Sequence, residues 1–161
     1  MNNNDSENEI EKEWLEYLAS LTPEQKEVPI FLKEKVIGFK DSQQFKKHIP
    51  DTLLIPGVIC GVFAKYLVGL EHRSEESPYT KKELSSAVKS CYEVIEAFSQ
   101  NPSDVIQNYV VTEIFENLGC EKLLREKIKS KLLPHSKQLY DTYADWLDHG
   151  IPTFPKKKKE E

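Results

Sequence analysis

Apolar residues along this chain recur at three- and four-residue spacings, and nowhere do they alternate with polar ones over a stretch long enough to argue for a strand. Ile10, Trp14, Leu18 and Leu21 predict a first helix after a polar start over residues 1–8 that is expected to be disordered. Thr22-Pro23 offers a cap followed by a first-turn proline, but Pro29 interrupts soon after, so residues 23–38 predict a broken turn and then a helix over Ile30–Ile37. Asp41 is placed to cap a short helix ending before Pro50.

The stretch Leu53 to Leu70, LLIPGVICGVFAKYLVGL, carries one charge, Lys65, and has Gly57 and Gly61 at GxxxG spacing. Pro56 belongs in its first helical turn, which leaves too few apolar residues to cross a bilayer core of about 30 Å comfortably. The stretch therefore predicts a buried central helix, with Gly57, Cys60, Gly61 and Ala64 small enough to admit neighbouring helices closely. Ser74 to Tyr79 reads as an internal loop, and Thr80-Lys81-Lys82-Glu83 has the form of a capping box opening a long helix.

In that long helix Leu84, Ala87, Val88, Cys91, Tyr92, Val94, Ile95 and Phe98 share one arc, with Ser86, Lys89, Glu93 and Glu96 opposite, so it covers a core from one side. An Asn-Pro-Ser-Asp turn leads to a second helix over about residues 103–118, with Gly119 as its stop. Ile106, Val110, Val111, Ile114, Phe115 and Leu118 form its apolar arc, yet Val105 and Tyr109 lie on the other side, which predicts burial over much of its circumference. Gln107 projects into the apolar arc and should hydrogen-bond a neighbouring backbone, a structural role. A basic helix over 120–133 turns Leu123, Leu124, Ile128 and Leu132 inward. After Pro134 a last helix gathers Leu139, Tyr140, Tyr143, Trp146 and Leu147 into a core seam.

The fold class expected is all-α: a single domain over residues 9–150 with about six to seven helices, arranged as stacked HEAT-like hairpins or an irregular bundle. With 161 residues, 39% of them hydrophobic, the chain is long enough to close one core. A net charge of −5 argues against nucleic acid as a partner, which would call for a basic stripe, and suits a basic protein. Cys60, Cys91 and Cys120 are odd in number and lack CxxC spacing, and the N-terminus has no secretory pattern, so a reduced, cytoplasmic setting is expected, with no membrane partner. The lysine-rich end, residues 151–161, reads as a disordered solubilising tail.

Chemistry is sparse. His48, His72, His135 and His149 are dispersed along the chain, and Glu113 and Glu116 have no partnered acid or base. No catalytic, cofactor-binding or metal-ligating set is predicted, and no cofactor. The strip Val105, Tyr109, Thr112 and Glu116, with Asn108 and Glu113 beside it, is the candidate partner-binding surface, since a tyrosine among carboxylates suits a basic protein. The competing reading is that another helix of the same domain covers it.

Between Leu84 and Trp146 the order of features resembles a family of uncharacterised bacterial helical proteins found near polymorphic toxin systems and regarded as immunity proteins. The residues carrying the resemblance are Tyr92-Glu93-Val94-Ile95-Glu96, Asp104-Val105-Ile106-Gln107-Asn108, Thr112-Glu113-Ile114-Phe115-Glu116-Asn117-Leu118, Tyr143 and Trp146, with Ile55-Pro56 upstream. The resemblance implies a non-catalytic protein that neutralises a cognate toxin, and an acidic surface would fit a basic toxin domain. It names neither the toxin nor the oligomeric state. The alternative from another class is a helical scaffold or adaptor, which a pull-down would reveal through dispersed partners.

Overall fold

Every regular element in the computed structural model, which describes residues 3–73, 81–118 and 122–149, is helical. The expected loop at 74–79, Thr80, Gly119, Cys120 and the lysine-rich tail lie outside the described residues. So do the side chains of Leu123, Trp146, Leu147 and His149.

The first helix, α1, runs Asn3–Ser20 and so begins within the segment expected to be disordered, with Asp5 in its first turn to complement the positive end of the helix dipole. The second, α2, spans Pro23–Lys35 without the predicted break. Its start is a full capping box: Thr22 Oγ1 accepts from Gln25 N, and the Thr22 N–H donates to Gln25 Oε1. Pro29 sits inside this helix, buried between Val28 and Leu32. Packing of those two side chains in the core holds the helix together across the hydrogen bond that a proline forgoes.

Past α2 the chain turns at Gly38, whose φ of 77° is the left-handed conformation that glycine adopts freely. Tyr66 Oη donates to Ile37 O at 2.6 Å, and Ser90 Oγ accepts from Ile37 N at 3.1 Å, which fixes this turn to two later helices. A short helix, α3, covers Gln43–Lys46. Its cap is Ser42, not the expected Asp41: the Ser42 hydroxyl accepts from Phe45 N while donating to Phe39 O, two roles that a carboxylate could not combine. A 3₁₀ turn over Pro50–Leu54 leads into the central helix.

That helix, α4, spans Pro56–His72 with Pro56 in the first turn, as its sequence predicts. Ile59, Cys60, Phe63, Ala64 and Leu67 are fully buried, and only Lys65 and His72 along its length are exposed. It packs against α2, α3, the 3₁₀ turn, the long helix α5 (Lys81–Ser99) and the rod that follows α5. Each of the large buried side chains, Ile59, Phe63 and Leu67, contributes about 1.5–3 kcal/mol, which makes α4 the axis of the core. No helix among the described residues is long and apolar enough to cross a membrane.

The rod comprises α6 (Asp104–Tyr109), a π turn (Val110–Phe115) and α7 (Glu116–Leu118). Two helices close the fold, α8 (Lys122–Lys131) and α9 (Pro134–His149). Leu124 and Ile128 of the basic α8, with Leu132 just past its end, are buried as expected. In α9, Tyr140 and Tyr143 form the predicted seam, Tyr140 meeting Phe115 edge-on with ring centroids 5.1 Å apart.

Two carboxylates tie the last helices to the core. Glu71, with its side chain 1% exposed, receives Lys131 Nζ at 2.9 Å and 3.0 Å, Lys127 Nζ at 3.0 Å and Tyr92 Oη at 3.1 Å. Burial alone would raise its pKa, but the lysine hydrogen bonds and charges outweigh that and lower it. Glu96 was expected on the solvent side of α5 and is instead buried, because α9 packs on that flank. Its carboxylate accepts from the backbone N–H groups of His135 at 2.9 Å and Ser136 at 2.8 Å, capping α9 from another helix, and lies 2.8 Å from His135 Nδ1.

Burial opposes ionisation of Glu96, but hydrogen bonds from Ser136 and His135 prevail and lower its pKa from 4.5 to about 2. A carboxylate with a depressed folded-state pKa stabilises the fold above the unfolded value and loses that contribution as pH falls through the folded one. The stability gap between wild type and Glu96→Gln is therefore full at pH 7 and closes between pH 4.5 and about 2. Urea unfolding midpoints of the two proteins across that range measure the closing gap.

Candidate protein-docking face

The rod from Asp104 to Leu118 is the element that presents the candidate strip, and its shape follows from one local irregularity. At 100° per residue Ile106 and Phe115, nine positions apart, would point about 180° from each other on a regular α-helix. Both are buried, at 1% and 0% exposure, together with Val110, Ile114 and Leu118. The π turn reconciles them: the Val110 N–H still donates to Ile106 O and Gln107 O, while the Glu116 N–H donates to Val111 O, five residues back. Such a turn retards the helix rotation by about one residue, or about 100°, and so swings Ile114, Phe115 and Leu118 toward the face that Ile106 already occupies.

Burial extends over much of the circumference, as expected, with Gln107, Tyr109, Val111, Glu113 and Asn117 half-buried beside the fully buried face, and a single exposed row is left. Val105 (42% exposed), Asn108, Thr112 and Glu116 all remain exposed at spacings of three, four and four. The Thr112 hydroxyl donates to Asn108 O at 2.8 Å, within the row.

Tyr109 and Glu113, the other two residues of the strip, are half-buried and engage the domain itself. Tyr109 Oη accepts from Gln25 Nε2 at 3.0 Å, so Gln25, the partner of Thr22 in the capping box of α2, also secures the rod. Tyr109 has its pKa raised, first by burial, with Gln25 pulling the other way. Glu113 lies over the glycines of α4: a Cβ on Gly57 would stand 3.5 Å from Glu113 Oε1 and 3.7 Å from a Tyr109 ring carbon, and one on Gly61 would stand 3.5 Å from Asn117 Nδ2. The small residues of α4 thus admit the rod, as their spacing predicts. Asn117 Nδ2 donates to Glu113 O, completing a polar seam along this contact. Burial and then the charge of Glu113 push the Cys60 thiol far up in pKa, which disfavours its thiolate form.

Gln107 behaves as expected, its Nε2 donating to Asn101 O at 2.7 Å across the turn before the rod. The structure brings Glu113 against α4 while Glu116 stays on the exposed row, so the two acids do not form a pair across one site. His135 has an acidic partner after all, Glu96 from a different helix, which no spacing along one helix would reveal. Among the described residues no group of three or more His, Cys, Asp or Glu side chains is placed to hold a metal ion.

The fit of the rod over α4 sets a limit on side-chain size. Gly61→Ala places its methyl in ordinary van der Waals contact and is expected to hold or raise stability by up to about 1 kcal/mol, the helix-propensity gain. Gly61→Leu must push Glu113 and Asn117 aside and is expected to lower stability by about 1–3 kcal/mol. Thermal and urea unfolding of the pair checks both.

Comparison of the chain with protein-family models, with curated proteins and with solved structures finds no match in any of the three.

Proposed function

We propose that this is a non-catalytic protein-binding protein, an immunity protein that neutralises a cognate bacterial toxin in the cytoplasm. The observation that carries the reading is the exposed row Val105, Asn108, Thr112 and Glu116, set on a rod whose opposite side is fully buried. A surface held rigid from behind loses little conformational freedom when a partner covers it, and that favours tight association. Tyr109 and Glu113 flank the row and are held in place by Gln25 and by the glycine face of α4, so they frame the contact more than they move to meet it.

The chemistry of the row suits a basic protein. It offers one apolar side chain, two groups that donate or accept hydrogen bonds and a carboxylate, in a chain whose net charge is −5. A basic nuclease-like toxin domain would be drawn to such a protein by long-range attraction, which acts on the association rate more than on residence time.

The reading is tested by co-expressing the protein with a toxin domain encoded beside its gene. Growth is expected to be rescued by the wild-type chain. The variant Val105→Asp/Thr112→Lys/Glu116→Lys is expected to lose rescue and binding while its far-ultraviolet circular dichroism and melting temperature stay close to wild type, because all three side chains are exposed. Rescue by this variant equal to wild type, or no binding by either, would sink the proposal.

A further inference from the structure

Helix α1 differs from every other long helix of the fold: from Asp5 to Ser20 none of its residues is buried. Its apolar side chains form a stripe nonetheless, with Ile10, Trp14, Tyr17 and Leu18 at helical spacing and Leu15 at the edge, and Ile10 and Leu15 stand 66% and 58% exposed. Over its 18 residues, about 27 Å, a helix of this kind is marginal in water unless its apolar face is covered. Its charges are as distinctive. Asp5, Glu7, Glu9, Glu11, Glu13 and Glu16 against Lys12 give −5, the net charge of the whole chain, so the remainder is balanced.

At 100° per residue Glu7 and Glu11 fall on the same arc as Trp14 and Leu18. Whatever covers this stripe must therefore supply cations beside an apolar floor. Such a surface exists on the molecule itself. A groove of about 350 Å³ between α1 and α2 is floored by Pro29, Ile30 and Leu54 and also lined by Lys26 and Lys33. Neither lysine is in an ion pair among the described residues. The helix cannot fold back into its own groove, because Leu18 and Leu21 form part of the groove wall and Thr22 immediately caps α2, which leaves Ile10 and Leu15 away from the floor.

An acidic apolar helix next to a lysine-lined apolar groove is a self-complementary surface, the condition for a two-fold contact. We infer that two copies of this chain associate with each α1 laid in the α1–α2 groove of the other, Ile10 and Trp14 on the Pro29–Ile30–Leu54 floor and Glu7 and Glu11 facing Lys26 and Lys33. Direct stripe-to-stripe pairing of the two α1 helices would set two charges of −5 side by side, and the groove avoids that. This contact is independent of the toxin-binding proposal.

Sedimentation velocity of the full chain over a wide concentration range tests it. The wild type is expected to pass from monomer to twice the chain mass, and Ile10→Asp/Ile30→Asp to remain monomeric. Glu7→Lys/Glu11→Lys and Lys26→Glu/Lys33→Glu are each expected to weaken self-association by about tenfold or more, since like charges then face each other. Mixing these two variants makes both helix–groove contacts complementary again and is expected to restore the dimer, an outcome that a fold defect would not produce. A wild type monomeric at every concentration, a reversal variant that dimerises as well as wild type, or a mixture no tighter than its components would each overturn the inference.

Discussion

Helix α4 is apolar around almost its whole circumference, and that constraint organises the molecule. A helix with one apolar stripe needs one neighbour; α4 needs a neighbour on every side. The chain surrounds it with α2, α3, the 3₁₀ turn, α5 and the 104–118 rod. Gly57 and Gly61 then decide how closely the rod approaches, because the absence of a side chain there lets Glu113, Tyr109 and Asn117 lie against the α4 backbone. The outer helices are fastened by charge as well as by packing: Glu71 at the end of α4 anchors α8 through Lys127 and Lys131, and Glu96 on α5 caps α9.

Surface left free by this arrangement is where interaction chemistry can be found. The rod offers one supported row because its π turn collects the fully buried residues Ile106, Val110, Ile114, Phe115 and Leu118 on a single side. A turn of this type leaves one residue more per turn in the ladder than an α-helix and is commonly found at functional positions. Here its consequence is geometric: without the retarded rotation, Phe115 would face away from Ile106, and either a core aromatic or the exposed row would be lost. Helix α1 has stayed apart from the core and retains a stripe and a charge that the rest of the fold does not neutralise.

The all-helical class and the position of the central helix were legible in the sequence because they depend on periodicity within one segment. Ile59, Cys60, Phe63 and Leu67 announce a buried helix whichever neighbours they meet. What was not legible depended on which helix lies beside which. Glu96 reads as a solvent-facing residue of α5 until α9 places two unpaired N–H groups beside it, and Glu71 reads as an unremarkable helix-end acid until two lysines some sixty positions later reach it. The break expected at Pro29 failed because Val28 and Leu32 are held by the core on both sides of it. In the candidate strip the sequence grouped six residues, and the structure divides them: Val105, Asn108, Thr112 and Glu116 form the exposed row, while Tyr109 and Glu113 are drawn into contacts with α2 and α4. One signal for that division was present, the 180° conflict between Ile106 and Phe115, which a regular helix could not satisfy.

The claim on which the docking face rests is that the π turn places Ile106, Ile114, Phe115 and Leu118 on one side of the rod and leaves the row at 105, 108, 112 and 116 open. Hydroxyl-radical footprinting of the free protein, read residue by residue over 104–118, measures this directly. The account predicts that Ile106, Ile114, Phe115 and Leu118 are all protected while Val105, Thr112 and Glu116 are modified. Modification of Phe115 or Ile106 to the same extent as Val105 would mean that the rod continues as a regular α-helix, and would contradict it.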